Sequence, residues 1–506
     1  MILKDIIADS GFTELRGDEA VDIKSFTNDS RKVEKGSMFM AVKGHDSDGH
    51  AYIASAIKAG ARAVAYEDDE ALAAQLAKFS PSDDLEAKSG SIKALNAVTF
   101  VKVADSRHAE AIMADNYYDH PSRKLTLVGI TGTNGKTTTV TLLYHLFMNL
   151  GHKCGLISTI ANYIGTEEVP TLNTTPDPIT INSLMARMAA EGCDYCFMEV
   201  SSIGMQQERV TGLKFKVGIF SNLTHDHLDY HKTFEEYLRC KKLFFDTLPE
   251  DAYAITNLDD KNGLVMVQNT KAHVVTYALN HAADHMCRII EESFEGMELR
   301  IDSWDFWTKL IGRHNAYNLL AIYSAAVVLG ADPQKTLLSM SLLNSAKGRL
   351  ETIHGSRNLT IVIDYAHTPD ALENVLKTLR DISSDHDLVC VFGCGGDRDK
   401  TKRPEMAAVA EKYADRIIVT SDNPRTENPD AIIDDIRKGF SRNGLARTLF
   451  ITNRREAIRA SIMLSKESSI ILLAGKGHET YQVIGTEKHH FDEREVVAEI
   501  FKEMSN

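Results

Sequence analysis

The sequence predicts an α/β protein of three domains. Short apolar runs alternate with helical patterns through most of the chain, a glycine turn joins a strand to a helix near residue 132, and the alternation restarts near residue 347. A chain of 506 residues is also too long for a single hydrophobic core. The expected architecture is a smaller α/β N-terminal domain over residues 1–104, a central parallel-sheet domain over 105–346, and a Rossmann-like C-terminal domain over 347–506.

Each element has its own sequence signal. In the first domain AYIASAIKAGARAVAYE reads as helix, glycine stop and strand, and the polar stretch FSPSDDLEAKSGS (79–91) reads as a loop. In the second, strand LTLVGI feeds a helix over 136–150 that Gly151 closes. Strands follow near CGLIST, YCFMEV, VGIFSNL and AYAITN, and a more alternating run, MELRIDSWDFWTKLIG, precedes the long helix NAYNLLAIYSAAVVLG. The third domain repeats the pattern with LTIVIDYA, DLVCVFG, RIIVTSD and SIILLAG. Strands that alternate with helices imply parallel sheets covered on both faces.

Composition narrows the classes. A formal net charge of -14 argues against nucleic acid or an anionic membrane as the main partner, while local basic residues can still draw small anions into a cleft. The start MILKDIIADSGF breaks its apolar run with Lys4 and Asp5, which is unlike a signal peptide, and no run of eighteen apolar residues predicts a membrane span. Seven scattered cysteines fit a reducing compartment, so a cytoplasmic protein is expected. Cys193 and Cys196 have redox-motif spacing but precede a strand, and they read as buried structural thiols.

The stretch LTLVGITGTNGKTTTVTLLYHLF, residues 125–147, carries the most specific chemistry. A glycine turn at a strand–helix junction lets backbone N–H groups converge on phosphate at the helix N-terminus. Gly132, Thr133, Asn134, Gly135, Lys136, Thr137 and Thr138 would form that cradle. Lys136 would neutralise the β- and γ-phosphates, and the Thr137 hydroxyl can ligate Mg²⁺. The strict template also asks for glycine at position 130, where this chain has Ile130. A central domain of the P-loop ATPase class is expected, with ATP and Mg²⁺ as its cofactors.

Two carboxylate-bearing segments follow. Glu199 ends the strand YCFMEV, at the edge where a parallel sheet binds ligands, although a helix-capping charge reads equally well there. The next strand runs into SNLTHDHLDYH, with three histidines and two aspartates within seven residues. These suit a metal; a polar loop of hydrogen-bonding histidines and zinc hydrolase chemistry are the rivals, and the nearby phosphate loop favours Mg²⁺.

TGTNGKTT resembles the Mur ligase family, which joins amino acids to carboxylates using ATP, and matching segments recur in order along the whole chain. The resemblance implies that Glu199 and His227 bind Mg²⁺ and act with Lys136 in catalysis. It also implies that Lys241 of EEYLRCKKLFF is carbamylated by CO2 to N6-carboxylysine, an anionic metal ligand. By residue type alone Lys241 and Lys242 are helix surface charges, and spacing leaves their choice ambiguous. His314, Asn315 and Asn318 of GRHNAYN would meet adenine, where the bare sequence also allows a helix cap. Arg349 of GRLE would reach phosphate when domains close, and Asp364, Tyr365 and His367 of DYAHTPDAL would lie on the ATP side. One departure stands out: the family usually shows SSH after the glutamate, and this chain has Ser201-Ser202-Ile203.

Asp422-Asn423-Pro424-Arg425, in SDNPRTENPD, resembles the segment of those Mur ligases that add meso-diaminopimelate. Diaminopimelate is lysine with a second carboxylate on its far end, which an arginine grips bidentately and which lysine lacks. Gly475 and Glu479 of LLAGKGHETYQ, with Arg398 of GGDRDK, would complete the pocket. The N-terminal TNDSRKVEKGSMFMAVKGHDSDGHAYI resembles the family's uridine-nucleotide domain and puts Ser30 and His45 near uracil and diphosphate. Asn173, Thr174 and Thr175 of LNTTPD, with Ser201, Gln207 and Arg209, would meet the muramyl-peptide.

The resemblance therefore implies a ligase that adds meso-diaminopimelate to UDP-MurNAc-L-Ala-D-Glu through an acyl phosphate, acting as a monomer without nucleic acid or membrane. Two other activities stay open: the same ligation with L-lysine or another diamino acid, and a folylpolyglutamate synthase-like reaction. A nucleotide-binding scaffold without catalysis is the non-enzyme reading, and Ile203 is the feature that leans its way.

Overall fold

Buried side chains that alternate between two faces build the first sheet. Strands β1 (Phe12–Arg16), β2 (Ser25–Thr27), β3 (Ser37–Met40), β4 (Ala63–Tyr66) and β5 (Thr99–Val103) lie in the order β1-β5-β4-β3-β2, parallel except for β1. On β3, Met38 and Met40 enter one core with Leu3, Ile6 and Val101, while Phe39 enters the opposite one with Ile53, Ile57 and Tyr66. The computed structural model describes residues 1–44, 47–79, 95–171, 173–224, 228–231, 233–382 and 385–504. Most of the loop expected over 79–91 thus lies outside the described residues; Phe79, at its start, is buried.

The helix Ser106–Tyr117, capped by Asp105, was expected to open the central domain. Its apolar stripe instead buries Ala109, Met113 and Ala114 against Leu3, Ile6 and Val103, so the first packing unit runs past residue 104.

The central sheet holds β6 (Thr126–Thr131), β7 (Cys154–Ile157), β8 (Asn162–Ile164), β9 (Glu167–Val169), β10 (Tyr195–Glu199), β11 (Phe215–Phe220), β12 (Tyr253–Asn257), β13 (His273–Ala278), β14 (His285–Ser293), β15 (Gly296–Ile301) and β16 (Trp304–Thr308). Their order is β16-β15-β14-β13-β12-β11-β6-β10-β7-β8-β9. From β14 to β7 the strands run parallel, as expected, and antiparallel hairpins extend both edges. The edges differ because tight turns can join only antiparallel neighbours.

Val128 and Ile130 of β6 face the helices Lys136–Asn149 and Arg313–Val328, whereas Leu127 faces Pro178–Ala190 and Phe234–Asp246. The first pair of helices brings Asn318 to the loop after β6, and Phe234–Asp246 brings Lys241 to it from the other face.

The third sheet contains β17 (Glu351–His354), β18 (Thr360–Asp364), β19 (Leu388–Phe392), β20 (Arg416–Val419), β21 (Thr448–Phe450) and β22 (Ile470–Ala474), in the order β17-β18-β22-β19-β20-β21. Only β17 runs antiparallel. A small hairpin, β23 (Tyr481–Ile484) and β24 (Glu487–His490), follows. Helices on both faces bury Leu376, Met406 and Ile433 on one side and Ile458, Val497 and Ile500 on the other. All seven cysteines are free and buried, Cys193 and Cys196 included, and no helix among the described residues is long and apolar enough to cross a membrane.

Candidate active site

The loop after β6 sits at the C-terminal edge of the central sheet, between β11 and β10. Gly132 has φ +153°, and any Cβ there would overlap Ser221 Oγ. Gly135, the residue before the helix, has φ +87°, and a Cβ there would stand 2.7 Å from Asn318 Oδ1. Glycine is thus required by both conformation and space. Asn222 accepts from Thr133 N through its backbone oxygen (2.8 Å) and from Asn134 N through Oδ1 (2.9 Å), and Ser221 Oγ donates to Asn134 O (2.8 Å). Ser221 and Asn222 did not emerge from the sequence; their one signal is their place at a strand end beside a glycine loop. Lys136 Nζ donates to Gly132 O (2.9 Å) and Thr133 O (2.8 Å), so its ammonium is already folded over the cradle. Thr137 and Thr138 are buried at the helix start.

Glu199 is fully buried at the end of β10. Its Oε1 accepts from Thr159 N (2.8 Å), and its Oε2 is buried without a hydrogen-bond partner. An orphaned carboxylate oxygen beside a phosphate loop is the donor a hard divalent cation requires. His227 and most of its cluster lie outside the described residues, and among the described residues no three His, Cys, Asp or Glu side chains gather to hold a metal. As oxygen donors beside the phosphate loop, Glu199 and Thr137 fit Mg²⁺.

Lys241 is also buried; its Nζ donates to Gly132 O (2.8 Å) and lies 4.7 Å from the Tyr237 ring, whose hydroxyl meets Thr133 Oγ1 at 3.1 Å. Lys242 pairs with Asp246 along its own helix. The orientation separates two lysines that spacing could not. Ile203 is half-buried in the short helix Ser202–Gln206, and its neighbour Ser202 bonds His231 Nε2 (2.9 Å).

Thr174 Oγ1 meets Thr159 Oγ1 at 3.1 Å, and Thr175 Oγ1 bonds Glu199 O (2.9 Å) and Ser201 Oγ (3.0 Å). Arg209 donates to Thr175 O (2.6 Å) and to Gln207 Oε1. The expected peptide-binding residues are therefore one connected surface, with Asn173 exposed at its edge. Ser30 opens a short turn capped by Asp29 beyond β2, and His45 lies outside the described residues.

On the far side of the loop His314 is half-buried, and burial, with the charge of Arg349 adding to it, lowers its pKa to about 4. Asn315 is buried and occupied, donating to Ile311 O (2.8 Å) and accepting from Asn318 (3.1 Å), so it braces the helix start. Arg349 stacks 4.9 Å over the Tyr365 ring, and its Nε is buried without a hydrogen-bond partner. Asp364 accepts from Leu350 N and Ala366 N (2.8 Å each), fixing the turn that carries Arg349, and burial raises its pKa. His367 tilts against Tyr365, and so does His478, which the sequence left unassigned; burial and then Arg349 hold His478 down to about 3.

In the last domain the loops after β19, β20 and β22 converge. Asn423 Nδ2 donates to Glu479 Oε2 (2.9 Å), and at Gly475 a side chain would run into Asp422 Oδ2. Pro424 and Arg425 pass over Gly396, whose carbonyl accepts from Arg425 Nη1 (2.8 Å). Arg425 forms no ion pair among the described residues. Arg398 is exposed at the mouth and, with Asp397, Asp399, Lys400 and Glu427, lines a cavity of about 360 Å³. Beneath it the fully buried Arg403, also unforeseen, bonds Glu427 and Asp435.

Comparison with known proteins gives three family matches in chain order: Mur ligase family, catalytic domain, at residues 22–118; Mur ligase middle domain at 130–326; and Mur ligase, glutamate ligase domain, at 348–477. A UDP-N-acetylmuramoyl-L-alanyl-D-glutamate–2,6-diaminopimelate ligase from Parabacteroides distasonis is 50% identical over 502 residues, 99% of either chain. One of that name from Clostridioides difficile is 40% identical over the whole of both chains. A solved structure of a ligase of the same name superposes with a TM-score of 0.67 at 30% identity, covering 100% of this chain and 99% of the other. Matches to all three domains, in order, around one continuous cradle leave a single assignment: the chain belongs to the Mur ligase family.

Proposed function

We propose that this chain is an ATP-dependent ligase that adds meso-diaminopimelate to the D-glutamyl γ-carboxylate of UDP-MurNAc-L-Ala-D-Glu in peptidoglycan precursor synthesis. The observation that carries the reading is Arg425: a guanidinium without an ion-pair partner among the described residues, held over the Gly396 loop, on the segment whose Asn423 bonds Glu479 of the loop after β22. A distal carboxylate and ammonium match that pair of charges.

The N-terminal unit, which takes in the helix Ser106–Tyr117, would bind the uridine nucleotide through Ser30 and His45, the central unit up to residue 346 would bind ATP, and 347–506 the amino acid. Lys136 would exchange its two carbonyl partners for the β- and γ-phosphates, while His314, Asn318, Arg349, Asp364 and Tyr365 frame the nucleotide. Arg209, Gln207, Ser201 and the threonine pair 174–175 would orient the acidic peptide end. The γ-carboxylate then attacks the γ-phosphorus, ADP leaves, and an acyl phosphate forms. The diaminopimelate amine adds to its carbonyl carbon, a proton is lost, and the tetrahedral intermediate expels phosphate. Mg²⁺, held by Thr137, Glu199 and His227, would supply neutralisation of phosphate charge.

Lys241 is proposed to carry the carbamate. Its burial beside Gly132 O would let an anionic N6-carboxylate relieve the crowding of cations around phosphate. Lys241→Ala is expected to be inactive and to regain turnover with added short carboxylates; full activity without them would discard the carbamate. The reaction would run in the cytoplasm, on a monomer.

The deciding assay is phosphate release with ATP, Mg²⁺ and UDP-MurNAc-L-Ala-D-Glu, comparing meso-diaminopimelate with L-lysine. Turnover with diaminopimelate alone is expected. Turnover with lysine would keep the ligase and overturn the reading of Arg425, and none with either would point to a scaffold.

A further inference from the structure

Lys476 is fully buried between β22 and the hairpin, and the reaction outlined above gives it no role. Its ammonium lies 3.0 Å from Glu479 Oε2, 3.3 Å from Asn423 Oδ1 and 3.9 Å from Asp422 Oδ1. Burying a lysine is unfavourable unless its charge is paired and its donors are satisfied, and here three residues of the amino-acid pocket do both. Asn423 is fixed by this arrangement: its Oδ1 also accepts from Val483 N (2.9 Å), so its amide must turn Nδ2 toward Glu479. Both bonds to Glu479 converge on Oε2, which leaves Oε1 for a ligand.

The charges decide what that ligand is. Arg398 stands exposed at the mouth, where solvent screens it; inside, Asp422 and Glu479 contribute two negative charges, and Lys476 and Arg425 two positive ones. A neutral pocket with separated charges suits a neutral end with separated charges, an α-amino acid terminus carrying both carboxylate and ammonium. Remove Lys476 and the pocket holds one net negative charge, which suits a lone ammonium. We propose that Lys476 is a positioning and specificity residue: it orients Asn423 and Glu479 and biases the site toward a zwitterionic terminus and against a simple side-chain amine. This rests on the reading that the pocket takes diaminopimelate.

The test measures phosphate release by the full chain with meso-diaminopimelate and with L-lysine, first unaltered and then as Lys476→Met and Lys476→Gln. Two neutral variants, each checked by thermal melting, guard against one failing to fold. The expected result is a rise in KM for diaminopimelate of about ten-fold or more, unchanged KM for ATP and the uridine substrate, and a smaller or opposite change for lysine. Adding Glu479→Gln to Lys476→Met removes the excess negative charge and is expected to cancel the shift toward lysine. Equal losses with both amino acids, or an unchanged preference, would overturn the proposal. Failure of the unaltered chain to use diaminopimelate would bring down the underlying reading instead, and it shows before any substitution is made.

Discussion

Arg425 has φ +51°, a left-handed backbone conformation that L-residues adopt at a cost of about 1 kcal/mol. Replacement by glycine would relieve that strain, and the greater freedom of glycine in the unfolded chain would offset it by a similar amount. Arg425→Gly is therefore expected to melt within a few degrees of the parent while its KM for diaminopimelate rises about 100-fold or more. Melting curves and initial rates check the two halves separately. Arg425 was a candidate from the sequence through the family resemblance of DNPR, since by residue type alone a proline turn with a solvated arginine reads as well. Ser221, His478 and Lys476 were not candidates, because each matters through partners far away in the chain: Gly132, Tyr365 and Asn423 respectively. A hydroxyl beside a glycine, or a lysine inside GKG, looks ordinary until the fold supplies its neighbour.

Among elements, the segment between β20 and the helix Pro429–Arg437 owes its shape to Glu427. Hydrogen bonds from Arg403 foremost, then from Asp397 N, hold this carboxyl at about 2, against an ordinary value of 4.5. A depressed carboxylate stabilises the fold fully above its unfolded pKa, and that stabilisation is lost as pH falls through the folded one. Glu427→Gln should thus destabilise the protein at pH 7 by about 1–2 kcal/mol, and the gap should close as pH falls from 4.5 toward 2. Denaturant titrations of both proteins at several pH values would show it; a gap constant with pH would refute the charge pairing. The strands and helices around this segment were readable from apolar periodicity, since each domain repeats one simple unit. The antiparallel edges of the central sheet and the N-terminal allegiance of Ser106–Tyr117 were less so, because hairpin pairing and helix docking depend on which apolar face is left uncovered.

At the scale of the whole molecule, His314 from the central unit and His478 from the last one both lie in the field of Arg349, on the turn between them. Both stay neutral while folded, with pKa values near 4 and 3 against 6.5 in the open chain. Their burial carries no protonation penalty above pH 6.5, and below it the unfolded chain binds protons that the folded chain refuses. Stability should fall from pH 6.5 toward 4, more steeply in the parent than in a His314→Asn/His478→Asn double variant, as calorimetry at stepped pH would reveal.

The unpaired Nε of Arg349 marks the same junction as the place where bound nucleotide would draw the domains together. Small-angle scattering is expected to show a smaller radius of gyration with an ATP analogue and both substrates than without; an unchanged profile would count against closure. Excluding water there matters because an acyl phosphate hydrolyses.

The distribution of sulfur turns the molecule into its own recorder. Cys154, Cys193, Cys196, Cys240 and Cys287 sit in the central unit and Cys390 and Cys394 in the last, all buried, while the first hundred residues carry none. Burial also raises their thiol pKa values, so the native chain offers alkylating reagents almost nothing. A maleimide pulse followed by peptide mapping would then report which unit opens, and when, with no engineered label, and the N-terminal unit would remain silent as the internal blank.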